Sequence, residues 1–257
     1  MKQLTLFLAF ALIIFSCKKK ESPAPSTPAT PSSSTCTNPG SLLSLEFNGN
    51  LTDNSCSPQT ITNNGATYTA DRNANAAKAL NFNGTSYINY PNAAALHDAL
   101  PLTLSFWVSV DDSSDWASNY FLQSNARPNG GYCGYLVRCN ASGQIHITIG
   151  DTTNSTTIDA ISSVILKSNT WTHYTAVVKG TNDVDIYIDG QKDLSASVSG
   201  TGNSISYPAA SSTNLGLIGG VSFLTNNGRL KGKMDKVKFW NKALTSTEVG
   251  TEYSNMN

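Results

Sequence analysis

The chain of 257 residues carries 17 basic and 17 acidic side chains, and its formal net charge at pH 7 is +0. Because no basic patch is evident in so balanced a sequence, a nucleic acid is not expected as a partner. The part that follows residue 35, roughly 220 residues, can bury a sizeable core as one domain.

The first sixteen residues have the pattern of an export signal. Lys2 supplies a positive start, and residues 4–15 are almost entirely apolar. About 18 Å of helix is too short for a bilayer core of about 30 Å, whereas this length suits a secretory signal. The stretch "IIFSC" resembles the cleavage site of bacterial lipoproteins, in which the cysteine is lipidated. The resemblance implies a signal peptide over residues 1–16 and a lipid anchor on Cys17; a plain signal peptide with an incidental cysteine is the alternative.

Residues 17–35 are predicted to be the lipidated cysteine and a tether. The stretch "KKKESPAPSTPATPSSST" has four prolines and no apolar periodicity. Such a segment cannot bury enough surface to offset chain entropy. In a polyproline II conformation of about 3 Å per residue it would hold a domain tens of ångströms from a membrane. We therefore expect an exported protein, lipid-anchored in the bacterial cell envelope at the outer membrane or cell surface, whose folded domain spans residues 36–257.

Four cysteines remain when Cys17 is assigned to the anchor, and they allow three pairings. We predict local pairing. A Cys36–Cys56 disulfide would pin the start of the domain, and a Cys133–Cys139 disulfide would close a hairpin-like "CGYLVRC". A zinc site is the alternative, but no histidine lies at ligand spacing from these cysteines.

Alternation of apolar and polar residues with period two dominates the domain. The clearest cases are residues 102–110, 144–149, 172–178, 183–190 and 234–240. Such alternation is typical of half-buried strands in antiparallel sheets, and Asp189-Gly190 is a two-residue hairpin signal. Near the end, Thr245 and Glu248 form a capping-box pattern. The sequence therefore predicts an all-β fold, a two-sheet antiparallel jelly-roll β-sandwich with a short C-terminal helical turn.

A family resemblance covers nearly all of residues 42–253. It rests on seven stretches in a fixed order: "LEFNGNLTDNS", "ALNFNGTSYINYP", "LTLSFWVSV", "NTWTHYTAVVKG", "VDIYIDGQ", "LGLIGG" and "LKGKMDKVKFWNKALTSTEV". This order resembles the laminin-G-like, concanavalin-A-like jelly roll of bacterial secreted proteins. The resemblance implies two curved antiparallel sheets, often a bound calcium ion, and frequently carbohydrate or protein binding.

A calcium site is expected around Asp235. In "MDKVKFW" the alternation puts Asp235 on the same side as the apolar residues that follow it, toward the core. A buried carboxylate must be paired, protonated or bound to a cation. The related bacterial laminarinases and lichenases imply calcium bound by the Asp235 side chain, the Gly84 carbonyl and the neighbourhood of Glu46 or Asn48, all oxygen ligands. A hydrogen-bonded core aspartate without metal is the alternative.

Catalysis is not expected. Retaining glucanases need two carboxyl groups about 5–5.5 Å apart, and the related enzymes carry them on one strand. This chain has four glutamates, at positions 21, 46, 248 and 252, and none lies in an E-x-D-x-x-E arrangement. Asp183, Asp185 and Asp189 share one polar strand face, which we expect to be a solvated sheet edge. There is no G-x-S-x-G motif either.

A ligand site is predicted in residues 111–135, where aromatic and polar side chains lie in a loop-rich segment. The candidates are Trp116, Tyr120, Arg127, Asn129, Tyr132 and Tyr135. Aromatic rings beside hydrogen-bonding groups on rigidly held loops are typical of ligand sites. Aromatic side chains at Trp107, Tyr187 and Trp240 are also expected on exposed strand faces. The sequence thus predicts a non-catalytic glycan-binding or adhesion module. A scaffolding domain with an envelope protein as partner is the alternative, and a divergent glycosidase is the third possibility.

Overall fold

The computed structural model of the chain describes residues 40–112, 114–124, 133–152, 156–224 and 228–255. The chain divides into two units, Met1–Thr35 and Cys36–Asn257, and every described residue belongs to the second. The predicted signal peptide, the lipidation of Cys17 and the tether lie outside the described residues and stay predictions. Within the described part, no helix is long and apolar enough to cross a membrane.

The described residues form sixteen strands and one α-helix. The strands are β1 (Ser41–Leu45), β2 (Thr62–Asn64), β3 (Thr67–Thr69), β4 (Ala79–Asn83), β5 (Tyr87–Asn92), β6 (Leu102–Val110), β7 (Tyr120–Gln123), β8 (Gly134–Cys139), β9 (Gln144–Asp151), β10 (Thr156–Ile165), β11 (Thr172–Gly180), β12 (Asp183–Ile188), β13 (Gln191–Lys192), β14 (Ser197–Gly200), β15 (Ser211–Ile218) and β16 (Lys231–Trp240). Two short 3-10 turns, Ala94–Leu96 and Trp116–Ser118, and the helix α1 (Ser246–Ser254) complete the elements.

The strands pair into two antiparallel sheets of eight strands each. In the first sheet the order is β13-β12-β11-β6-β16-β4-β3, and β1 also pairs with β16; in the second it is β14-β10-β9-β8-β7-β15-β5-β2. The predicted strands at 102–110, 144–149, 172–178 and 234–240 lie within β6, β9, β11 and β16. The prediction of an all-β, two-sheet antiparallel sandwich with a short C-terminal helix is confirmed.

The core lies between the two sheets, as period-two alternation requires. From β6, Phe106 points inward, and its ring centroid lies 5.6 Å from that of Phe121 and 5.3 Å from that of Tyr174. The three rings come from both sheets, since Phe121 belongs to β7 of the second sheet and Tyr174 to β11 of the first. Aromatic contacts therefore tie the sheets together at the centre of the sandwich.

Local signals also formed as predicted. The backbone N–H of Glu248 donates to the side chain of Thr245, and the backbone N–H of Thr245 donates to the Glu248 carboxylate at 2.8 Å, which completes the capping box of α1. Asp189 and Gly190 have φ angles of 49° and 74°, the positive values that a two-residue hairpin between β12 and β13 requires.

A β-bulge in β16 overturns one prediction. Asp235 pairs with Trp107 of β6 and Lys238 with Ser105, so β16 has one more residue than its neighbour between these pairs. The extra residue is accommodated at Lys236, whose φ is 49°. The bulge shifts the alternation, so that Met234 and Val237 both join the core. Asp235 therefore lies on the outer face of the first sheet, and its predicted position on the core side is wrong.

Candidate functional site

The outer face of the first sheet is covered by α1. Val249 of the helix is fully buried and, with Leu244, belongs to a small apolar cluster that contains Tyr187 and Trp240. Tyr253 of α1 stacks on Trp107 at 5.4 Å. The aromatic side chains predicted to be exposed on this face are therefore buried, because the chain folds back over the sheet after β16.

Beneath the end of α1, Asp235 pairs with a distant arginine. Nη1 of Arg72 lies 2.7 Å from Oδ2 of Asp235, and the guanidinium carbon lies 4.4 Å from the centre of the Trp107 ring. Arg72 Nη2 also donates to the carbonyl of Asn255 at 3.1 Å. The fold thus supplies this carboxylate with a cationic partner, and the same arginine binds the C-cap residue of α1.

Glu46 lies in a neighbouring charge network. Its Oε1 is 2.9 Å from Nζ of Lys238, which is also 3.0 Å from the Glu252 carboxylate of α1. Nζ of Lys236 lies 3.6 Å from the other Glu46 oxygen. Because the Lys238 side chain is only 3% exposed, its two carboxylate partners stabilise its buried charge.

The four residues predicted to bind calcium do not come together. Lys231 pairs with Asn83 and Met234 with Leu80, so Gly84 lies about five residues along β16 from Asp235, a separation of about 17 Å. The carbonyl of Asn48 accepts a hydrogen bond from the side chain of Asn50 at 3.1 Å. Among the described residues, no group of three or more His, Cys, Asp or Glu side chains could hold a metal ion. The predicted set does not fit a single site, and calcium binding itself stays a prediction.

The Asp235 carboxyl is expected to make stability depend on pH. Burial raises its pKa to about 7, against the positive charges of Arg72 and Lys236. The folded protein then holds a proton that the unfolded chain releases near pH 4, so the contribution of this proton is complete below pH 4 and is lost as the pH rises through 7. We expect the unfolding free energy of the wild type, relative to Asp235→Asn, to fall by about 1 kcal/mol between pH 6 and pH 8.

Denaturant titrations at several pH values would measure this difference. Both proteins keep the same histidines, so their titration cancels in the comparison. A difference that is flat across this range would contradict the assigned pKa.

Cys133 and Cys139 lie at the two ends of one strand, so the predicted disulfide between them is wrong. Cys133 directly precedes β8 and Cys139 ends it. Six residues of extended strand separate their Cα atoms by about 20 Å, whereas a disulfide requires about 4.4–6.8 Å. Both cysteines are buried thiols, and burial raises the pKa of Cys139 to about 12. Cys36 lies outside the described residues, so the Cys36–Cys56 disulfide stays a prediction.

Alkylation should show the two thiols directly. In denaturant without reductant, we expect iodoacetamide to label both Cys133 and Cys139, which peptide mass spectrometry can locate. In native buffer we expect labelling of Cys139 to be far slower, because a buried thiol with a raised pKa supplies little thiolate. A peptide that carries a Cys133–Cys139 disulfide would refute this arrangement.

A polar cleft, which we call the end cleft, lies at one end of the sandwich. The segment after β6, the turn after β4 and the start of β16 meet there, since the N–H groups of Asp111 and Gly84 donate to the carbonyls of Lys231 and Leu230 at 3.0 and 2.9 Å. The cavity has a volume of about 120 Å³. Its lining consists of Gly84, Asp112, Ser114, Asp115, Ser118, Asn119, Gly228, Arg229 and Lys231.

Hydrogen bonds fix the wall that follows β6. The Asp112 carboxylate accepts from the backbone N–H and the hydroxyl of Ser114, at 2.8 and 2.6 Å, and these bonds lower its pKa. Buried Asn119 donates to the carbonyl of Asp115 at 2.9 Å and accepts from the N–H of Lys231 at 3.1 Å. The wall therefore presents carboxylates and hydroxyls opposite two cationic side chains.

Arg229 joins the end cleft to a second depression on the outer face of the second sheet. Its guanidinium donates to the carbonyls of Val221 and Gly228 and lies 4.6 Å from the centre of the Tyr87 ring. The second depression is lined by Tyr87, Asn89, Thr213, Leu215, Leu217, Ser222 and Arg229. Together the two depressions form one surface with an aromatic ring and several hydrogen-bonding groups, which is the composition expected of a ligand site.

The described members of the predicted ligand-binding set, Trp116, Tyr120 and Tyr135, do not line either depression. Trp116 starts the 3-10 turn in the wall of the end cleft, but its indole packs on the β8–β9 turn, where a Cβ at Gly143 would lie 3.0 Å from the ring. Tyr120 follows Asn119 and lies 6.1 Å from Phe223, edge to face. Arg127, Asn129 and Tyr132 lie outside the described residues.

Tyr135 does not belong to a ligand surface, so that part of the prediction is wrong. Its ring packs in the core against Phe239 at 5.5 Å, and its hydroxyl lies 3.0 Å from that of Tyr90. The reason is the alternation of β8, which turns this position inward. Sequence reasoning missed Tyr87, Arg229 and Lys231, because nothing in the sequence indicates that they approach residues 112–119.

The acidic strand face is paired, as expected of a solvated edge. Lys179 lies 2.8 Å from Asp183 and 3.1 Å from Asp185, and Lys192 lies 2.8 Å from Asp185. Asp189 instead accepts from the backbone N–H of His173 at 2.8 Å. All three carboxylates therefore have structural partners.

Several solved structures share this fold at low sequence identity. The binding domain of Paraclostridial Mosquitocidal Protein 1 aligns with a TM-score of 0.61 and 19% identity, over 83% of this chain and 52% of that one. The binding domain of botulinum neurotoxin serotype D aligns with a TM-score of 0.57 and 15% identity, over 84% of this chain and 52% of that one. This chain thus spans about half the length of these toxin domains.

A third similar structure is matched over nearly its whole length. Domain 4 of AbnA, a GH43 extracellular arabinanase from Geobacillus stearothermophilus, was solved in complex with arabinotriose. It aligns with a TM-score of 0.57 and 18% identity, over 83% of this chain and 98% of that one. A search of the curated proteins gives no match to the sequence.

The family is shown by the sequence itself. A family model matches residues 82–250, more than half of the chain, from the turn-forming end of β4 into α1. The matched region contains both walls of the end cleft. The chain therefore belongs to the concanavalin A-like lectin/glucanases superfamily, in its laminin-G branch.

Proposed function

We propose that this protein is a non-catalytic carbohydrate-binding or adhesion module that binds glycans at the end cleft and the adjoining depression around Tyr87 and Arg229. The observation that carries the proposal is the composition of this surface. Asp112 and Asp115 supply carboxylates, Lys231 and Arg229 supply donors, and Tyr87 supplies an aromatic ring. Hydroxyl-rich ligands bind where such groups converge on a fixed scaffold.

The comparisons support this function at the level of the fold. The chain belongs to a superfamily of lectins and glucanases, and the similar toxin structures are described as binding domains. The arabinanase domain, similar over nearly its whole length, was solved with an oligosaccharide bound. A non-catalytic role is supported by the similar structures described as binding domains, and by glutamates none of which lies in an E-x-D-x-x-E arrangement.

We further propose that the module is displayed on a lipid anchor in the bacterial cell envelope. The support is the "IIFSC" pattern around Cys17 and the proline-rich stretch that follows it. Two or more acyl chains would hold the protein at a membrane, and the tether would present the domain away from the bilayer. Metabolic labelling with a radioactive fatty acid, and its loss in Cys17→Ser, would test the anchor separately from binding.

A glycan-array screen followed by gel-retention assays on immobilised polysaccharides tests the binding function. We expect saturable binding to one class of glycan, and we expect Asp115→Ala to weaken it at least tenfold. Asp115 suits this test because its carboxylate is exposed and makes no cap hydrogen bond to the turn that follows. Asp183→Ala is the matched control, since this exposed aspartate lies on the β12 edge and its loss should leave binding unchanged.

Repeating the screen with calcium and with EDTA would show whether a metal takes part. No binding to any glycan under either condition would refute the proposed function. Specific capture of one envelope protein, abolished by Asp115→Ala, would instead assign the same surface to a protein partner.

A further inference from the structure

A row of side chains crosses the outer face of the second sheet beside the proposed glycan surface. Tyr120 of β7 pairs with Arg138 of β8, which pairs with His146 of β9. Phe121, Val137 and Ile145, which are their neighbours in sequence, belong to the core. Because side chains alternate along a strand, Tyr120, Arg138 and His146 point outward. Directly opposed residues have Cβ atoms about 4.5–5.5 Å apart, so the row is continuous.

One end of the row is an ordered polar group. Nε2 of His146 lies 2.9 Å from Oδ1 of Asp159, and the hydroxyl of Thr148 donates to the same oxygen at 2.7 Å. Although burial opposes it, these hydrogen bonds lower the pKa of Asp159, so the carboxylate is ionised at neutral pH. His146, Thr148 and Thr157 hydrogen-bond to this carboxylate, whose two oxygens have further lone pairs that can accept from a ligand hydroxyl.

The other end of the row is aromatic. The rings of Tyr120 and Phe223 meet edge to face at 6.1 Å, and Phe223 is 43% exposed. Tyr120 directly follows Asn119 of the end cleft, and Phe223 directly follows Ser222 of the second depression. The row therefore adjoins the proposed glycan surface.

Arg138, at the centre of the row, is a partly exposed cation without a carboxylate partner in the part of the chain that the structure describes. The domain segments outside the description, residues 36–39, 113, 125–132, 153–155, 225–227 and 256–257, contain no Asp or Glu. Within the described residues, no carboxylate neutralises the Arg138 guanidinium, which can therefore bind an anionic ligand. By contrast, Arg72 is paired with Asp235.

We propose that this row is a subsite for a carboxylate-bearing sugar, such as a uronic acid residue of a polysaccharide. The planar guanidinium of Arg138 matches a carboxylate with two parallel hydrogen bonds. Tyr120 and Phe223 offer apolar area to the sugar ring, and Asp159 and His146 bond its hydroxyls. The inference rests on the proposed function and deepens it, because it names the ligand class as acidic glycans.

Affinity electrophoresis of the purified chain in gels that contain polyuronates tests the inference. The probes are polygalacturonate, alginate and hyaluronate, each compared with its methyl ester, which keeps the sugar and removes the charge. We expect at least one acidic form to bind at least tenfold more tightly than its ester, and the preference to weaken as salt rises. Dextran sulfate controls for charge alone, and equally tight binding to it would overturn recognition of a carboxylate.

Variants at Arg138 separate recognition from folding. Arg138→Gln should abolish the preference for the acidic form, and Arg138→Lys should restore only part of it, because it keeps the charge and loses the planar pair of donors. Lys167→Gln, which removes an exposed cation elsewhere, should change nothing. Melting curves confirm that each variant folds.

The outcomes distinguish the two proposals. Equal binding to the acid and ester forms of all three polymers would overturn the acidic subsite and leave glycan binding in place. An acid preference that survives in folded Arg138→Gln would also overturn it. Binding to none of these polymers, together with none on the glycan array, would refute the proposed function itself.

Discussion

Arg72→Met is expected to lower the free energy of unfolding by about 3–5 kcal/mol, the cost of breaking one partner out of a buried ion pair. Both side chains are nearly inaccessible, with 6% of Arg72 and 2% of Asp235 exposed. Methionine keeps most of the apolar contact with Trp107 but leaves the carboxylate without its cation. The loss should be larger at pH 8 than at pH 6, because Asp235 can be protonated at the lower pH.

Urea denaturation of a double-mutant cycle measures this pair. Asp235→Asn and the double variant Arg72→Met/Asp235→Asn complete the cycle, and we expect the double variant to be more stable than Arg72→Met alone. Lys179→Met is the control at an exposed ion pair, for which a change of about 0–1 kcal/mol is expected. If the loss of unfolding free energy in Arg72→Met were no larger than in Lys179→Met, the Arg72–Asp235 ion pair would not stabilise the packing on the outer face of the first sheet.

Gly219→Ala is expected to lower the free energy of unfolding by about 2–4 kcal/mol, because alanine would be strained at a positive φ and its Cβ would clash with a neighbouring ring. Gly219 directly follows β15 and has a φ of 79°, and a Cβ there would lie 2.4 Å from two ring atoms of Phe82. Phe82 is completely buried, so its ring cannot move aside. Gly219 also donates to the carbonyl of Phe121 and accepts from the N–H of Leu230, which closes the loop that carries Arg229. Glycan binding should therefore fall together with stability.

Thermal and chemical unfolding of Gly219→Ala, compared with Gly180→Ala, would test this expectation. Gly180 ends β11, and a Cβ at that position would meet nothing within 4 Å. The control variant should be neutral or slightly more stable, because alanine reduces the freedom of the unfolded chain. Similar stability of the two variants would show that the sheet end around Gly219 can relax.

Much of the fold could be predicted from the sequence because its signals are local. The alternation in residues 102–110 correctly predicted a strand, although all nine residues of β6 are buried because its outer face is covered as well. The pairs Asp189-Gly190 and Thr245/Glu248 act over a few residues. The order of the seven quoted stretches then indicated the family, and the family model matches residues 82–250. None of these inferences requires knowledge of which distant segments meet.

The candidate site could be predicted only in part, for the same reason. The predicted segment 111–135 overlaps the end cleft, since Asp112, Asp115 and Asn119 line it, but none of the described residues predicted to bind the ligand is among the lining residues, and ligand binding stays a prediction. The opposite wall, with Arg229 and Lys231, comes from more than 100 residues further along the chain, and only the pairing of β16 with β4 and β6 brings it there. Tyr135 was misplaced because a core-facing and an outward-facing tyrosine look alike in a loop-rich segment.

The sequence by itself determined the strands, their turns and the family of this protein, because burying alternate side chains and capping short elements are local requirements. Only the tertiary structure decided the environment of the charged residues. One extra residue at Lys236 turned Asp235 to the outer face, and sheet pairing brought Arg72 to it across 163 positions of sequence. Likewise, "CGYLVRC" became an extended strand instead of a disulfide-closed hairpin, because neighbouring strands on both sides bind its backbone. Charge pairing and register depend on distant partners, and no local pattern encodes them.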